Sequence, residues 1–243
     1  MKLDLLAIGV HPDDVELGCS GTIINEIKYG KKVGVLDLTQ GELGSRGTIE
    51  TRYAEAAKAA MIMGVSIREN LKMRDGFFKN DEEHQRKLIV AIRKYQPEII
   101  ITNALSDRHP DHGRAAKLTS DSCFLSGLRK VETTDEQGNN QEPWKPKYVF
   151  NYIQDRYLQP DFVIDISHVM DQKLESIKAF STQFYNPDLN EPATYISTPD
   201  FLDSVIYRSK MMGKMIGVAY AEGFVSKKII GFNSFNALIA NVT

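Results

Sequence analysis

His11-Pro12-Asp13-Asp14 and His109-Pro110-Asp111-His112 contain the residue types that hold and use a divalent metal. The first follows directly on an apolar run of strand length, and the second lies a few residues beyond another. Imidazole nitrogen and carboxylate oxygen are ligands that zinc accepts, and three such ligands leave a fourth position for water. Two histidines and one aspartate meet that need. Magnesium prefers oxygen-rich octahedral shells and has little use for two imidazoles, so the histidines favour zinc, with ferrous iron as a substitute in the cell. The proline after each leading histidine fixes φ and removes a backbone donor, which stiffens the loop. Hydrolysis at such a site also needs a base that is not a ligand, and the adjacent carboxylates Asp13 and Asp14 can divide the work, one on the metal and one on its water. Singly, each residue has a plainer use: His11 or His112 as a helix cap or satisfied core group, Asp13 and Asp14 as favourable charges at a helix N-terminus. Two such motifs in one chain make coincidence the weaker account.

The two loops can cooperate only if the strands before them are neighbours. Leu3 to Val10 reads as a buried strand, and Leu17, Ile23, Ile24 and Ile27 then recur at helical spacing up to Gly30. Val33 to Leu38 is a second strand, Thr51 to Met63 a helix ending at Gly64, and Leu71 to Met73 a short strand. Leu88, Ile89, Ile92 and Tyr95 mark a helix, Glu98 to Thr102 a strand, and Asp111 to Leu125 a helix. Alternation with short connections predicts right-handed βαβ units. The expected fold is therefore α/β: a Rossmann-like, doubly wound, mostly parallel sheet with helices on both faces, as one domain over 1–243. Thr133 to Pro146 reads as an exposed loop. Strands near Tyr148 to Ile153 and Phe162 to Ile166, helices near Met170 to Phe184 and Pro199 to Gly217, and a last segment from Phe224 complete the pattern.

Bulk properties exclude several classes. The chain has 30 basic and 32 acidic residues, a net charge of -2, so no positive field gathers polyanions and nucleic acid is not an expected partner. Its apolar runs fall well short of the roughly 20 residues that span a bilayer, so no membrane helix is expected. Asp4 within the first apolar stretch argues for a strand over a signal peptide, and a cytoplasmic location is the resulting expectation. Cys19 and Cys123 form no framework and read as packing residues.

Ala7 to Gly18, the His-Pro-Asp-His at His109, the loop Thr39 to Gly47 and the late Tyr220-Ala221-Glu222-Gly223-Phe224 resemble the LmbE-like, or PIG-L, deacetylases over nearly the whole chain. Within that family the resemblance is nearest to the branch that removes acetyl from N-acetylglucosaminyl malate in bacillithiol biosynthesis. The resemblance implies zinc ligands at His11, Asp14 and His112, a general base at Asp13, and stabilisation of the tetrahedral intermediate by His109, acting as a protonated imidazole. It also implies malate contacts at Arg52 and Arg108, which would otherwise be solvated surface arginines, and a homo-oligomer such as a hexamer. Glu16 can orient a ligating histidine or merely charge a helix start. The glycine-rich loop after the second strand either approaches a ligand or makes a turn, which leaves Glu42, Ser45 and Arg46 as candidate sugar contacts. Tyr195 can bring a phenol over the metal or simply pack; His84 and His168 receive no role. Two other readings remain: a deacetylase of another N-acetyl sugar such as a chitooligosaccharide, and a non-catalytic nucleotide-binding or regulatory module. Against the second, the first loop lacks GxGxxG and presents acids where a pyrophosphate would sit.

Overall fold

The run Leu5–Gly9 forms β1 and is buried along its whole length, as a strand covered on both faces must be. It lies at the centre of a computed structural model that describes residues 1–188 and 190–238. After β1 come α1 (Asp14–Lys28), β2 (Val33–Thr39), α2 (Ile49–Met63), β3 (Ile67–Met73), α3 (Glu82–Tyr95), β4 (Ile99–Thr102) and α4 (Pro110–Leu125). The second half adds β5 (Tyr148–Tyr152), β6 (Phe162–Asp165), α5 (Met170–Lys178), α6 (Pro199–Ile216) and β7 (Ala221–Ser226). All seven strands join one sheet in the order β3-β2-β1-β4-β5-β7-β6. β7 runs antiparallel between β5 and β6, and the remaining pairs are parallel.

Alternate residues of β1 serve opposite cores. Leu6 and Ile8 pack with Leu88 and Ile92 of α3 and Leu118 of α4, while Leu5 and Ala7 pack with Val15, Cys19 and Ile23 of α1. Helices therefore cover both faces, and the α/β expectation holds. The chain winds outward from β1 through β2 to β3 and then crosses back to β4 on the other side of β1. The β1/β4 boundary is thus a topological switch point, where a crevice opens beyond the strand ends. Leu5 pairs with Ile99 and Ile8 with Thr102, so both histidine motifs emerge at that boundary.

Several element boundaries differ from the sequence reading. β3 begins at Ile67, four residues before Leu71, because Arg68 in that polar stretch is drawn inward by Asp37 and Glu16. α5 stops at Lys178, short of Phe184, and β7 begins at Ala221, before Phe224. No helix among the described residues is long and apolar enough to cross a membrane.

α1 sits unusually close to the sheet, and two glycines permit it. A Cβ at Gly18 would lie 2.3 Å from the Tyr152 ring, and one at Gly21 would lie 2.8 Å from Ile166. The approach is pinned by a buried pair from distant segments. Lys173 Nζ donates to Glu16 O (2.9 Å) and Leu17 O (3.0 Å) and meets Glu222 Oε1 at 2.8 Å. Glu222 in turn accepts from Gly21 N (3.0 Å) and Thr22 N (2.7 Å), so both buried charges are well partnered. The late Ala221-Glu222-Gly223 segment thereby fixes the helix whose first turn carries Asp14.

Candidate metal centre and substrate pocket

Beyond β1 the chain turns so tightly that the Asp14 carboxylate reaches back over it. Asp14 Oδ2 accepts from Val10 N (3.1 Å), His11 N (3.0 Å) and Asn103 Nδ2 (3.0 Å), while Oδ1 accepts from Gln154 Nε2 (2.8 Å). Oδ2 is saturated, so Oδ1 is the oxygen with room for a cation. The turn forces Asp13 to φ 133°, a conformation that side chains other than glycine rarely adopt. Asp13 makes no side-chain cap bond to α1 and lines the pocket beside the histidines.

His112, brought in by the first turn of α4, places Nε2 3.2 Å from Asp14 Oδ1, and His11 Nδ1 lies 3.5 Å from Asp14 Oδ2. Ligands on a tetrahedral zinc at about 2.0–2.1 Å stand roughly 3.4 Å apart, a spacing that both contacts approach, His112 against Oδ1 and His11 against Oδ2. Each histidine is backed by a further carboxylate: His11 Nε2 to Asp75 Oδ1 at 3.0 Å and His112 Nδ1 to Asp107 Oδ2 at 2.7 Å. Such partners fix the tautomer and raise the basicity of the coordinating nitrogen.

Two overlapping groups also bring ligand atoms within 4.8 Å of one another: His11, His109 and His112, and His11, Asp75 and Asp111. In the second, Asp111 is engaged by Arg114 (2.6 Å) and Gly76 N (2.9 Å), and Asp75 Oδ2 accepts from Leu43 N (3.1 Å). In the first, His109 caps α4, its Nδ1 accepting from Asp111 N at 3.3 Å. The proton of a neutral His109 therefore sits on Nε2, and its ring centroid lies 4.8 Å from that of His11. Burial and the two neighbouring imidazoles hold its pKa below the usual histidine value. In its neutral form His109 can donate through Nε2, so a donor role does not require a protonated imidazole.

Burial works against charge on His11 and His112, but neighbouring carboxylates outweigh it. Asp14 and Asp75 push His11 up to about 10, and Asp14 and Asp107 push His112 up to about 9. Burial would raise Asp14, yet the His112 and His11 charges hold it well below the usual carboxylate range. Without metal, both imidazoles therefore favour their protonated forms near neutral pH. Ligand imidazoles must be neutral, so zinc has to expel both protons. Zinc added near pH 7 is expected to release close to two protons, and its affinity to rise with pH by up to about 100-fold per unit. Competition with a chelator at pH 6, 7 and 8 measures this; a pH-independent affinity would rule out these two histidines as the ligands.

The pocket above this centre measures about 230 Å³ and is also lined by Leu17, Leu43, Gln154, Ile196, Arg52 and Arg108. Arg108 stands at the mouth, its Nε 3.6 Å from Asp155 Oδ2 and its guanidinium 4.3 Å over the Tyr195 ring. Tyr195 is itself outside the lining and donates its hydroxyl to Asp155 Oδ1 at 3.1 Å. Arg52 is buried and already engaged with Gln183 Oε1 and, at 3.5 Å, with Pro12 O. A Cβ at Gly41 or Gly44 would come within 2.6 or 2.8 Å of its guanidinium. The glycine loop thus approaches this arginine.

Four of the candidate residues have other contacts or lie outside the pocket lining. Glu16 touches neither histidine; it pairs with Arg68 at 2.5 Å. Arg46 turns away from the pocket, donating to Thr182 O (2.6 Å) and Pro192 O (3.2 Å), and so ties two loops together. Glu42 accepts from Gln40 N (3.2 Å) and Asp75 N (2.7 Å), which steadies the segment presenting Asp75. Ser45 is exposed and outside the lining. Sequence reasoning missed Asp75, Asp107, Asn103 and Gln154. Asp75, Asn103 and Gln154 lie just past strand ends and Asp107 two residues before His109, so their position was a usable signal.

A candidate metal centre thus lies at the switch point of a doubly wound sheet. The PIG-L family, described as GlcNAc-PI de-N-acetylase, matches residues 6–123, a span that includes both histidine motifs. Diacetylchitobiose deacetylase of Thermococcus kodakarensis is 29% identical over 231 residues, covering 90% of this chain and 81% of that one. A conserved protein of Thermus thermophilus shares the fold with a TM-score of 0.84 and 35% identity, over 95% of this chain and 97% of its own. The N,N'-diacetylchitobiose deacetylase of Pyrococcus horikoshii aligns with a TM-score of 0.77 and 25% identity, over 97% and 88% of the two chains. The chain is therefore similar to N-deacetylases over most of its length, and its first half matches the PIG-L family.

Proposed function

We propose that the protein is a zinc-dependent N-deacetylase of an N-acetylglucosamine conjugate with an acidic aglycone, N-acetylglucosaminyl malate being the substrate in view. The observation that carries the reaction is the Asp14 carboxylate set between His11 Nδ1 and His112 Nε2 with Asp13 left free beside them. Zinc held there supplies an acidified water and polarises the acetamide carbonyl. Asp13 takes the proton of the attacking water and returns it to the departing amine nitrogen. Burial lifts its carboxyl to about 7 in the metal-free chain, Arg52 pulling the other way, and a bound cation opposes the burial further. His109 Nε2–H donates to the carbonyl oxygen as negative charge builds on it. Asn103 and Gln154 keep the Asp14 carboxylate oriented.

The acidic aglycone is supported by Arg108, which stands at the pocket mouth held by a 3.6 Å ion pair and by the Tyr195 ring. Its planar fork suits a carboxylate. Arg52 is too fully engaged for the same task, and its part is to oppose the raised carboxyl of Asp13. The relatives named above favour a second reading, a chitooligosaccharide substrate. Amine release from N-acetylglucosaminyl malate, diacetylchitobiose and N-acetylglucosamine separates the two. Arg108→Ala is expected to lower kcat/KM for the malate conjugate by about 10–100-fold, as loss of a charge-assisted hydrogen bond does, and to spare the neutral sugars. Equal losses on all three substrates would remove the carboxylate clamp.

A further inference from the structure

The catalytic pocket, about 230 Å³, is smaller than the roughly 300–1,000 Å³ that whole drug-sized ligands occupy. A conjugated sugar bound there must extend out of it. Beside it lies a second cavity of about 400 Å³ between the end of α5 and the start of α6, and Ile196 lines both. Ile177, Phe184, Tyr185, Phe201 and Leu202 form most of its walls, with Ser181, Asn186, Thr198 and Lys178 supplying polar groups among the described residues. The aromatic rings are ordered against one another: Phe184 and Phe201 stack at 5.9 Å and 13°, and Tyr195 meets Phe201 edge-on at 5.8 Å and 72°. The cavity adjoins the reaction centre at Ile196, and its largest side chains are apolar and aromatic. It favours hydrocarbon.

We propose that this groove is an aglycone subsite that takes an aryl or short alkyl group attached to the sugar being deacetylated. The inference rests on the deacetylase reading and extends the substrate range past small acidic aglycones. Tyr195 links the two regions, since its ring carries Arg108 on one contact and Phe201 on another. A substituent can therefore pass the cationic mouth and bury its apolar end beyond it.

The test uses methyl, butyl, hexyl and phenyl glycosides of N-acetylglucosamine with the zinc-loaded protein. kcat/KM is expected to rise about threefold to fourfold per methylene until the groove is filled, the gain for transferring hydrocarbon from water. Tyr185→Ser, at a side chain that is 54% exposed, and Phe201→Ala should flatten the series and leave methyl glycoside turnover unchanged. Calorimetry of the same glycosides on the metal-free protein should show the same slope, which separates failure of the groove from failure of the reaction. A flat series in both measurements overturns the subsite. So does an affinity for the hexyl glycoside that falls as protein concentration rises, the sign of a second copy of the chain seated in the groove.

Discussion

Replacing Asp13 by glycine is expected to produce a chain that melts higher than the parent and does not turn over. Asp13 is held at φ 133°, and such strain costs on the order of 1–3 kcal/mol. Its carboxyl is also buried, enough to push its pKa up to about 7. Glycine removes both penalties, although it loses some of that gain through a freer unfolded chain. A net gain near 1 kcal/mol corresponds to a Tm rise of about 2–4 °C for a domain of this size. Meanwhile kcat should fall by about 10²–10⁴, the usual worth of a positioned general base. Asp13→Asn, which keeps the strain and removes the base together with the buried carboxyl, should lose activity with a smaller rise in Tm. Zinc content close to that of the parent in both variants completes the expectation. An Asp13→Gly protein that keeps its turnover would show that another group handles the proton.

The second large effect separates ligands from the carboxylates behind them. Asp14→Ala removes an oxygen that is 3.2 Å from His112 Nε2 and leaves four donors aimed at an empty space. Both metal and activity should be lost, along with stability, since buried donors are then unpaired. Asp107→Ala and Asp75→Ala each remove a hydrogen bond to the far nitrogen of a ligand and should weaken zinc binding by about 10–100-fold. Excess zinc should therefore restore turnover in the latter pair and not in Asp14→Ala. Restoration in all three, or in none, would mean that the two classes of carboxylate have been misassigned. In the metal-free state the same substitutions should lower the pKa of His112 or His11, because the charges that raise them are gone.

Glu16 and Asp107 show why part of the centre was legible beforehand and part was not. Both are carboxylates within a few residues of a ligand histidine, and a sequence offers no ground for preferring one over the other. The fold decides. Glu16 lies on the α1 face turned toward β2 and β3, where Arg68 meets it at 2.5 Å, while Asp107 sits in the loop beneath His112 at 2.7 Å. Arg46 and Arg52 form a similar contrast. They are six residues apart, yet Arg46 binds carbonyls of the 182–192 segment and Arg52 reaches the Asp13 turn. The central strands were recoverable because continuous apolar runs have few alternatives, whereas β3 is largely polar and depended on buried ion pairs to enter the sheet.

By itself the sequence determined the chemistry on offer: two imidazole motifs, adjacent carboxylates, and their place just beyond buried strands. Those are local properties, set by residue type and by hydrophobic patterning over a few turns of chain. Tertiary structure decided which carboxylates support which histidines, which arginine remains free at the mouth, and that an apolar groove adjoins the pocket. Apart from the local Asp107–His112 pair, these depend on pairing between segments roughly 30 to 150 residues apart, where direction and burial choose the partner and composition does not.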